Sequence, residues 1–274
     1  MKIIYDIDFI IKNRDRFLEK PSDLWLEYFS IHSQVFKVLM KNIYRLNQKE
    51  LLSLVDNTDF QCLFSQAVKN HKQIDSEEIK NTLEECVNYY NFKADFDVFF
   101  LIGLGHIDGT AQVADRPFLY FGLERVNASN ISPLIKHEFN HMVRFTSIDE
   151  IGDFTEITVG QLVIAEGLAT LSPLFINQQQ LNRKNLISAL FMSNQEYEVL
   201  SDEHDIVIRK FFQDADKTLS KELHLEYFIQ NDETCLQRKG YYIGMMLIIE
   251  LIDVGLDLKI LTETPTEIIL NNFN

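Results

Sequence analysis

The chain has 274 residues and a formal net charge of −15, from 26 Lys and Arg against 41 Asp and Glu. Nucleic acids and anionic membranes attract clusters of basic residues, so this acidic balance argues against both as main partners. With 46% hydrophobic and 24% charged residues, the composition is that of a globular protein long enough to bury a sizeable core.

The cysteines and the apolar segments indicate a cellular compartment. Cys62, Cys86 and Cys235 are far apart and form no C-x-x-C pair, which favours buried thiols in a reducing environment. The first residues are interrupted by acids and lack the apolar region of a signal peptide. The longest apolar run, Tyr241–Ile249, is far shorter than the roughly 20 residues that a membrane span needs. We therefore predict a cytoplasmic protein without a membrane segment.

The N-terminal third is predicted to be helical. Apolar residues recur at three- and four-residue spacing between Leu24 and Leu46, after the helix-start signal Pro21-Ser22-Asp23. We therefore expect a helical N-terminal region over residues 1–93, followed by a second domain over residues 94–274.

The pattern changes near residue 95 to short β-branched and aromatic runs separated by turn residues. Such runs predict strands over 97–104, 110–114 and 118–123, joined by tight turns. Together they would form a small, mostly antiparallel sheet within residues 97–123.

From residue 130 onward the chain returns to helical patterns. Ser132-Pro133 is typical of a helix start, and the apolar positions that follow predict a helix over 133–146. A second helix is predicted over 155–172, and further helical patterns fill 183–228 and 235–254. The order of elements suggests an α+β fold that is mostly helical, with a small mixed or antiparallel sheet between helical N- and C-terminal parts.

The most informative motif lies inside the predicted helix 133–146. His137-Glu138-Phe139-Asn140-His141 has the form H-E-x-x-H, and residues at i and i+4 share one helix face, so both imidazoles can reach one metal ion. Glu138 lies at the flank of that face. Zinc lowers the pKa of a bound water to about 7, and an adjacent carboxylate can then take its proton as the water attacks a carbonyl. Without a metal, the same pattern would simply be a polar helix face.

A third ligand is needed, and Glu166 is the best candidate. It is the one acid in the otherwise apolar helical run Leu162–Leu171, where a buried carboxylate is costly unless it is paired or binds a metal. Glu150 and Glu156 are rival ligands in more polar segments, and an ion pair with a distant basic residue is the alternative role for Glu166. Thr170 lies one turn after Glu166 and could hydrogen-bond a ligand.

These residues resemble a known group of enzymes. His137-Glu138-x-x-His141, with Glu166 in the context Ala-Glu-Gly-Leu-Ala, resembles the gluzincins, metalloproteases that hold zinc with two His and one Glu. More narrowly, the chain is similar to the bacterial YjaZ-like family of predicted Zn-dependent proteases, a domain of unknown function. Segments around the motif, around Glu166 and at Gly240-Tyr241-Tyr242-Ile243-Gly244 carry the likeness, which covers roughly residues 95–272.

The resemblance implies a zincin-like fold with one Zn²⁺ per chain, bound by His137, His141 and Glu166. Glu138 would act as general base and later as proton donor. Gluzincins also use a Tyr, His or Arg to stabilise the oxyanion of the tetrahedral intermediate, a type of group worth on the order of 100-fold in rate. Tyr241 is the candidate here, because Gly244 one turn later permits close approach to another element. Tyr242 and Arg238 are rivals for this role.

Substrate contacts are predicted at the strands and on the motif helix. Enzymes of this kind bind an extended peptide along an exposed strand edge, and the small residues Gly109, Thr110 and Ala111 favour such an edge. A simple hairpin strand is the alternative. Arg144, which lies near the face of His137, is predicted to orient a substrate carboxylate or to pair with an acid.

The sequence therefore favours a zinc metallopeptidase that acts on a peptide or protein substrate. A metal-stabilised regulatory or binding protein with a closed site is the main alternative, and an interaction scaffold with a chance motif is a weaker one. The acidic surface would favour neutral or basic peptides near the cleft. Substrate specificity, endo- or aminopeptidase activity and oligomeric state are left open.

Overall fold

A computed structural model describes residues 1–148, 156–229 and 238–273. Its contacts divide the chain into two compact units, Met1–Glu84 with Lys93–Glu138 and Glu85–Phe92 with Phe139–Asn274. The domain boundary expected after residue 93 stays a prediction. The contact-based units follow a different division, because the N-terminal helices belong with the sheet in the first unit.

The first unit contains all four described strands and most of the N-terminal helices. A single π-helical turn over Met40–Tyr44 follows the third helix. The strands are β1 (Lys2–Tyr5), β2 (Asp97–Leu101), β3 (Gly109–Gln112) and β4 (Phe118–Gly122), and the helices are α1 (Asp8–Glu19), α2 (Pro21–Ile31), α3 (Ser33–Leu39), α4 (Gln48–Asp56), α5 (Phe60–His71) and α6 (Ser76–Tyr90), the last of which continues into the second unit.

The strands form one mixed sheet in the order β1-β2-β4-β3. β1 pairs with β2 and β2 pairs with β4 in parallel, whereas β3 pairs with β4 antiparallel. The predicted strands are present with shorter bounds, but the mostly antiparallel sheet is wrong. β2 pairs with β4 instead of with β3, so no tight hairpin joins β2 to β3. β1 was also missed, since the region was predicted to be helical.

Burial explains the positions of the strands. Val98–Leu101 of β2 and all of β4 are buried, as expected for strands covered on both faces. Their aromatic rings pack across the pairing, with Phe99 against Phe118 and Phe100 against Phe121. The small and polar residues of β3 have little apolar area to bury, and β3 lies at the end of the sheet.

The second unit is helical in its described part. Its central helix begins at a capping box in which Thr158 and Gln161 each accept a backbone N–H of the other, so the helix starts four residues later than predicted and continues past Pro173. The helices are the second half of α7 (Ile131–Ser147), α8 (Val159–Ile176), α9 (Arg183–Leu190), α10 (Asn194–Asp202), α11 (His204–Asp214), α12 (Lys221–Phe228), α13 (Lys239–Asp253), α14 (Leu258–Thr262) and α15 (Thr266–Leu270), and a 3₁₀ turn follows over Asn271–Phe273.

α8 is the core of this unit. By length and composition alone α8 could cross a membrane, but 67% of it is buried within the fold. This helix was not found from the sequence as a candidate span, because Glu166 interrupts its apolar run. A buried central helix of a globular unit has the same composition. α8 packs against α13 at two glycines, where a Cβ on Gly244 would lie 1.9 Å from the carbonyl oxygen of Val163 and one on Gly167 would lie 2.2 Å from the carbonyl carbon of Gly244.

This close approach makes Gly244 intolerant of any side chain. We expect Gly244→Ala to push α8 and α13 apart. The free energy of unfolding should fall by about 1–3 kcal/mol, the usual cost of overpacking. Denaturant unfolding of the variant measures the loss. Glu250→Ala, an exposed change on the same helix, should stay within about 0.5 kcal/mol of the wild type. Equal midpoints for Gly244→Ala and the wild type would contradict the packing.

A buried carboxylate makes part of the stability of this unit depend on pH. Asp214 is 1% exposed and accepts hydrogen bonds from Lys210, Lys217 and the hydroxyl of Tyr227. Burial alone would raise the pKa of this carboxyl, but the hydrogen bonds from the two lysines and the tyrosine outweigh burial and lower the pKa to about 2. The native state therefore holds this proton less tightly than the unfolded chain does.

The contribution of Asp214 to the free energy of unfolding should be fully present above pH 4. It should be lost as the pH falls toward about 2. Because both lysines are partly exposed and screened, we expect about 1–2 kcal/mol at neutral pH. Asp214→Asn should lose this amount in urea unfolding at pH 7 and about half of it at pH 3. Asp216→Asn, at an exposed neighbouring position, is the control, and a difference that did not shrink in acid would refute the assignment.

Candidate metal centre

The H-E-x-x-H motif lies on α7, as predicted, and the helix extends slightly beyond the predicted bounds at both ends. His137 and His141 are one turn apart on this continuous helix. The ring of His141 stacks on Phe145, one further turn along, with centroids 5.4 Å apart. This contact restricts the rotation of the imidazole about its side-chain bonds.

Glu166 of α8 lies beside the two imidazoles. One ligand atom each from His137, His141 and Glu166 lies within 4.8 Å of the others, and Nε2 of His141 is 3.5 Å from Oε1 of Glu166. The helix periodicity therefore places the lone acid of the apolar run at the motif, as the sequence predicted. Of the rival ligands, Glu156 is exposed and precedes α8, and Glu150 lies outside the described residues.

The donor set and its spacing fit a zinc ion. Two imidazole nitrogens and one carboxylate oxygen are the protein ligands of one common kind of catalytic zinc site. Ligand atoms about 2.0–2.1 Å from a tetrahedral ion lie roughly 3.3–3.4 Å from one another. The separation of 3.5 Å between His141 and Glu166 is close to that value, whereas the full set of ligand atoms lies within 4.8 Å, so the side chains would draw closer together on binding a metal. The cluster could therefore hold one ion with a position open for water.

Glu138 lies next to the edge strand. Its side chain is 7% exposed, and a Cβ on Gly109 would lie 3.1 Å from its Cγ. The same Cβ would lie 3.0 Å from the ring of Phe121, the cross-strand partner of Gly109. Glycine at this position therefore lets the start of β3 approach the side chain of Glu138 closely.

β3 is at the end of the sheet, and in the described part of the chain no further strand pairs with its outer side. The N–H of Gly122 donates to the carbonyl of Asp108, and antiparallel pairing alternates along the strands. Thr110 and Gln112 therefore direct their backbone groups toward β4, whereas Gly109 and Ala111 direct theirs away from the sheet. Asp108, before the strand, forms an ion pair with Arg125 at 2.5 Å.

Asn140, inside the motif, is the centre of a buried network that the sequence did not reveal. Its side-chain amide donates to the hydroxyls of Tyr90 and Thr262, each at 2.9 Å. Tyr90 in turn donates to Ser172 of α8, also at 2.9 Å. The network fixes the second half of α7 to three other helices of its unit.

The predicted substrate contact of Arg144 is not supported by its surroundings. The side chain is completely buried, and its guanidinium donates to the carbonyls of Leu261, Thr262 and Thr264 and to the hydroxyl of Thr266. Arg144 is two turns beyond His137, about 10 Å along the helix axis, where the C-terminal segment lies. Its hydrogen bonds stabilise the turn between α14 and α15, and a role in orienting substrate stays a prediction.

The candidates for the oxyanion donor lie at the start of α13. Tyr242 is buried and its hydroxyl shares a hydrogen bond with His204, and burial raises its pKa to about 12. Arg238 donates to the carbonyl of Leu190 and lies over the ring of Tyr241. Tyr241 is partly buried. The role of Tyr241 as oxyanion donor stays a prediction, as does that of Thr170, which is buried one turn after Glu166.

Two imidazoles and a carboxylate on neighbouring helices, with an acid next to the first imidazole, define the class of zinc-dependent hydrolases. The comparison with known families agrees with this class. Residues 101–270 match the family described as predicted Zn-dependent protease (DUF2268), and the chain belongs to that family. Among curated proteins, none matches the chain.

Proposed function

We propose that the protein is a zinc-dependent peptidase of the gluzincin type, with one zinc per chain held by His137, His141 and Glu166. The observation that carries the proposal is the approach of these ligand atoms to within 4.8 Å of one another on α7 and α8. The family description supports zinc dependence and protease activity at a coarse level.

In this proposal Glu138 moves the proton. Zinc with three protein ligands and an open position lowers the pKa of a bound water to about 7 and polarises a carbonyl. Glu138 follows the first ligand directly, and its carboxylate would take the proton of the attacking water and then give it to the leaving amine. Its low exposure reduces competition from bulk water for this proton. Tyr241 would donate a hydrogen bond to the oxyanion.

The substrate would bind as an added strand. Gly109 and Ala111 direct backbone groups away from β4, so an extended peptide could pair with them and lie across Glu138. This arrangement explains the need for a small residue at Gly109, where a side chain would contact both Glu138 and Phe121. Thr110 would lie between the two pairing positions.

A mixed peptide library tests the activity. Zinc-loaded protein is incubated with the library, and mass spectrometry identifies new termini. We expect cleavage at internal or N-terminal peptide bonds by the wild type and none by Glu138→Gln. Equal cleavage by both proteins would assign the activity to a contaminant, and cleavage by neither would favour a regulatory protein with a closed site.

A further inference from the structure

A cleft beside the far end of β3 has the features of a binding site. Its volume is about 590 Å³, and it lies within the first unit. It is lined by residues of α3 and the π-helical turn, by residues of the turn from β3 to β4, and by Phe99 and Phe118, which share one face of the sheet. The cleft thus begins where the edge strand ends.

The charge of the cleft is opposite to that of the chain. Lys37, Lys41 and Arg116 line it together with Asp97 and Asp115, in a protein whose net charge is −15. Arg116 lies 3.1 Å from the carboxylate of Asp97, which neutralises this pair. Lys37 and Lys41 are exposed, and in the part of the chain that the structure describes no carboxylate lies within ion-pair distance of either. After Asp115 is counted, one positive charge remains.

The wall that carries these lysines is attached to the edge strand. Asn42, next to Lys41 in the π-helical turn, donates its side-chain amide to Oε1 of Gln112 at 2.8 Å. Gln112 is completely buried at the end of β3 and donates to the hydroxyl of Thr110. π-helical turns are rare and occur often at functional sites. The backbone segment that carries Lys41 is therefore attached to the strand along which a peptide would pair.

The geometry of the strand gives the distance to the reacting bond. Gly109 is next to Glu138, and Val113, which lines the cleft, is four residues further along. At about 3.3 Å per residue this separation is about 13 Å. A peptide paired with β3 and cut beside Glu138 would therefore place a residue about four positions from the cut bond at the cleft.

We propose that this cleft is a subsite for an acidic side chain of the peptide substrate, about four residues from the bond that is cut, with Lys37 and Lys41 as its charge partners. The inference rests on the proposed peptidase function and deepens it. The acidic surface as a whole would favour basic peptides, so the cleft would select substrates that combine basic or neutral residues with one acid at a defined distance.

Binding to the zinc-loaded Glu138→Gln protein tests the subsite without requiring turnover. A fluorescent host peptide of alanine and threonine carries a single Glu, or Gln as its neutral match, at each position in turn, and anisotropy gives the dissociation constants. We expect Glu to improve binding about three- to tenfold over Gln at one position and at low salt, with the gain falling as salt rises. Adding Lys37→Gln with Lys41→Gln should remove the gain. Lys12→Gln with Lys49→Gln, both exposed positions outside the cleft, should not.

The outcomes separate the two proposals. Charge-selective binding that depends on Lys37 and Lys41 supports the subsite, even if the wild type cleaves nothing and the peptidase proposal fails. Cleavage by the wild type without any preference for Glu, or with a preference that survives the double lysine change, overturns the subsite and leaves the peptidase proposal standing. Absence of binding by every peptide overturns the subsite as well.

Discussion

Glu138→Gln will keep its zinc and lose about 10²–10⁴-fold in kcat/KM, the usual contribution of a positioned general acid or base. Gln has the shape of Glu but cannot take a proton from water, and Glu138 is outside the ligand set of His137, His141 and Glu166. Steady-state cleavage of a peptide from the library, with the zinc content measured on the same samples, gives both quantities.

Control variants make this result specific. Glu85→Gln, on α6, also replaces a glutamate carboxylate by an amide but lies outside the metal centre. This variant should leave kcat/KM unchanged. Unfolding of Glu138→Gln should match that of the wild type, since the side chain keeps its volume. A variant that retained wild-type turnover would exclude Glu138 as the base, whereas one that lost its zinc would show that Glu138 belongs to the metal site itself.

His141→Ala and Glu166→Gln will each weaken zinc binding by more than about 100-fold. Loss of a group that merely orients a metal ligand costs about 10- to 100-fold, so loss of one of three ligands should cost more. Competition with a chelator of known affinity measures the dissociation constant. Zinc at 100 times its dissociation constant should also stabilise the wild type by about 2.7 kcal/mol, and this gain should largely vanish in both variants.

Two matched substitutions complete this experiment. Glu156→Gln changes the exposed rival of Glu166, and His224→Ala changes a histidine outside the cluster. Both should bind zinc as the wild type does. Zinc affinity that depended on Glu156 instead of Glu166 would assign the third ligand to the polar segment before α8.

The metal centre was predictable from local sequence to the extent that helix periodicity determines it. The spacing of His137 and His141 places both on one face of α7, and the lone acid in an apolar run indicated Glu166 on α8. Both helices are present, α7 at nearly the predicted bounds and α8 shifted by about one turn toward the C-terminus. In each case the decisive information is contained within a few turns of one helix.

Contacts between distant segments were not predictable in this way. Arg144 lies close to His137 in angle around the helix, but its partners at 261–266 are more than 110 residues away in sequence. The parallel pairing of β2 with β4 likewise joins strands that are not consecutive in sequence, because β3 lies between them in the chain. β1 was missed because its few residues resemble the start of a helix until their pairing with β2 is known.

The cleft was likewise not predictable from the local pattern of charged residues. Lys37 and Lys41 are one turn apart on an amphipathic segment, which predicts an exposed helix face and nothing more. Their significance depends on the bond between Asn42 and Gln112, 70 residues apart, which holds them at the end of the edge strand. A net charge of −15 therefore describes the chain as a whole, whereas the charged residues that line the cleft sum to one positive charge.

Reconstitution with zinc tests the central claim most directly. The protein is stripped of metal with a chelator, dialysed, and titrated with Zn²⁺ while cleavage of a library peptide is followed. A zinc peptidase of this design should be inactive without metal, gain activity in proportion to added zinc, and saturate at one zinc per chain. Cleavage that persists in the metal-free protein, or that does not respond to zinc, would contradict the assignment.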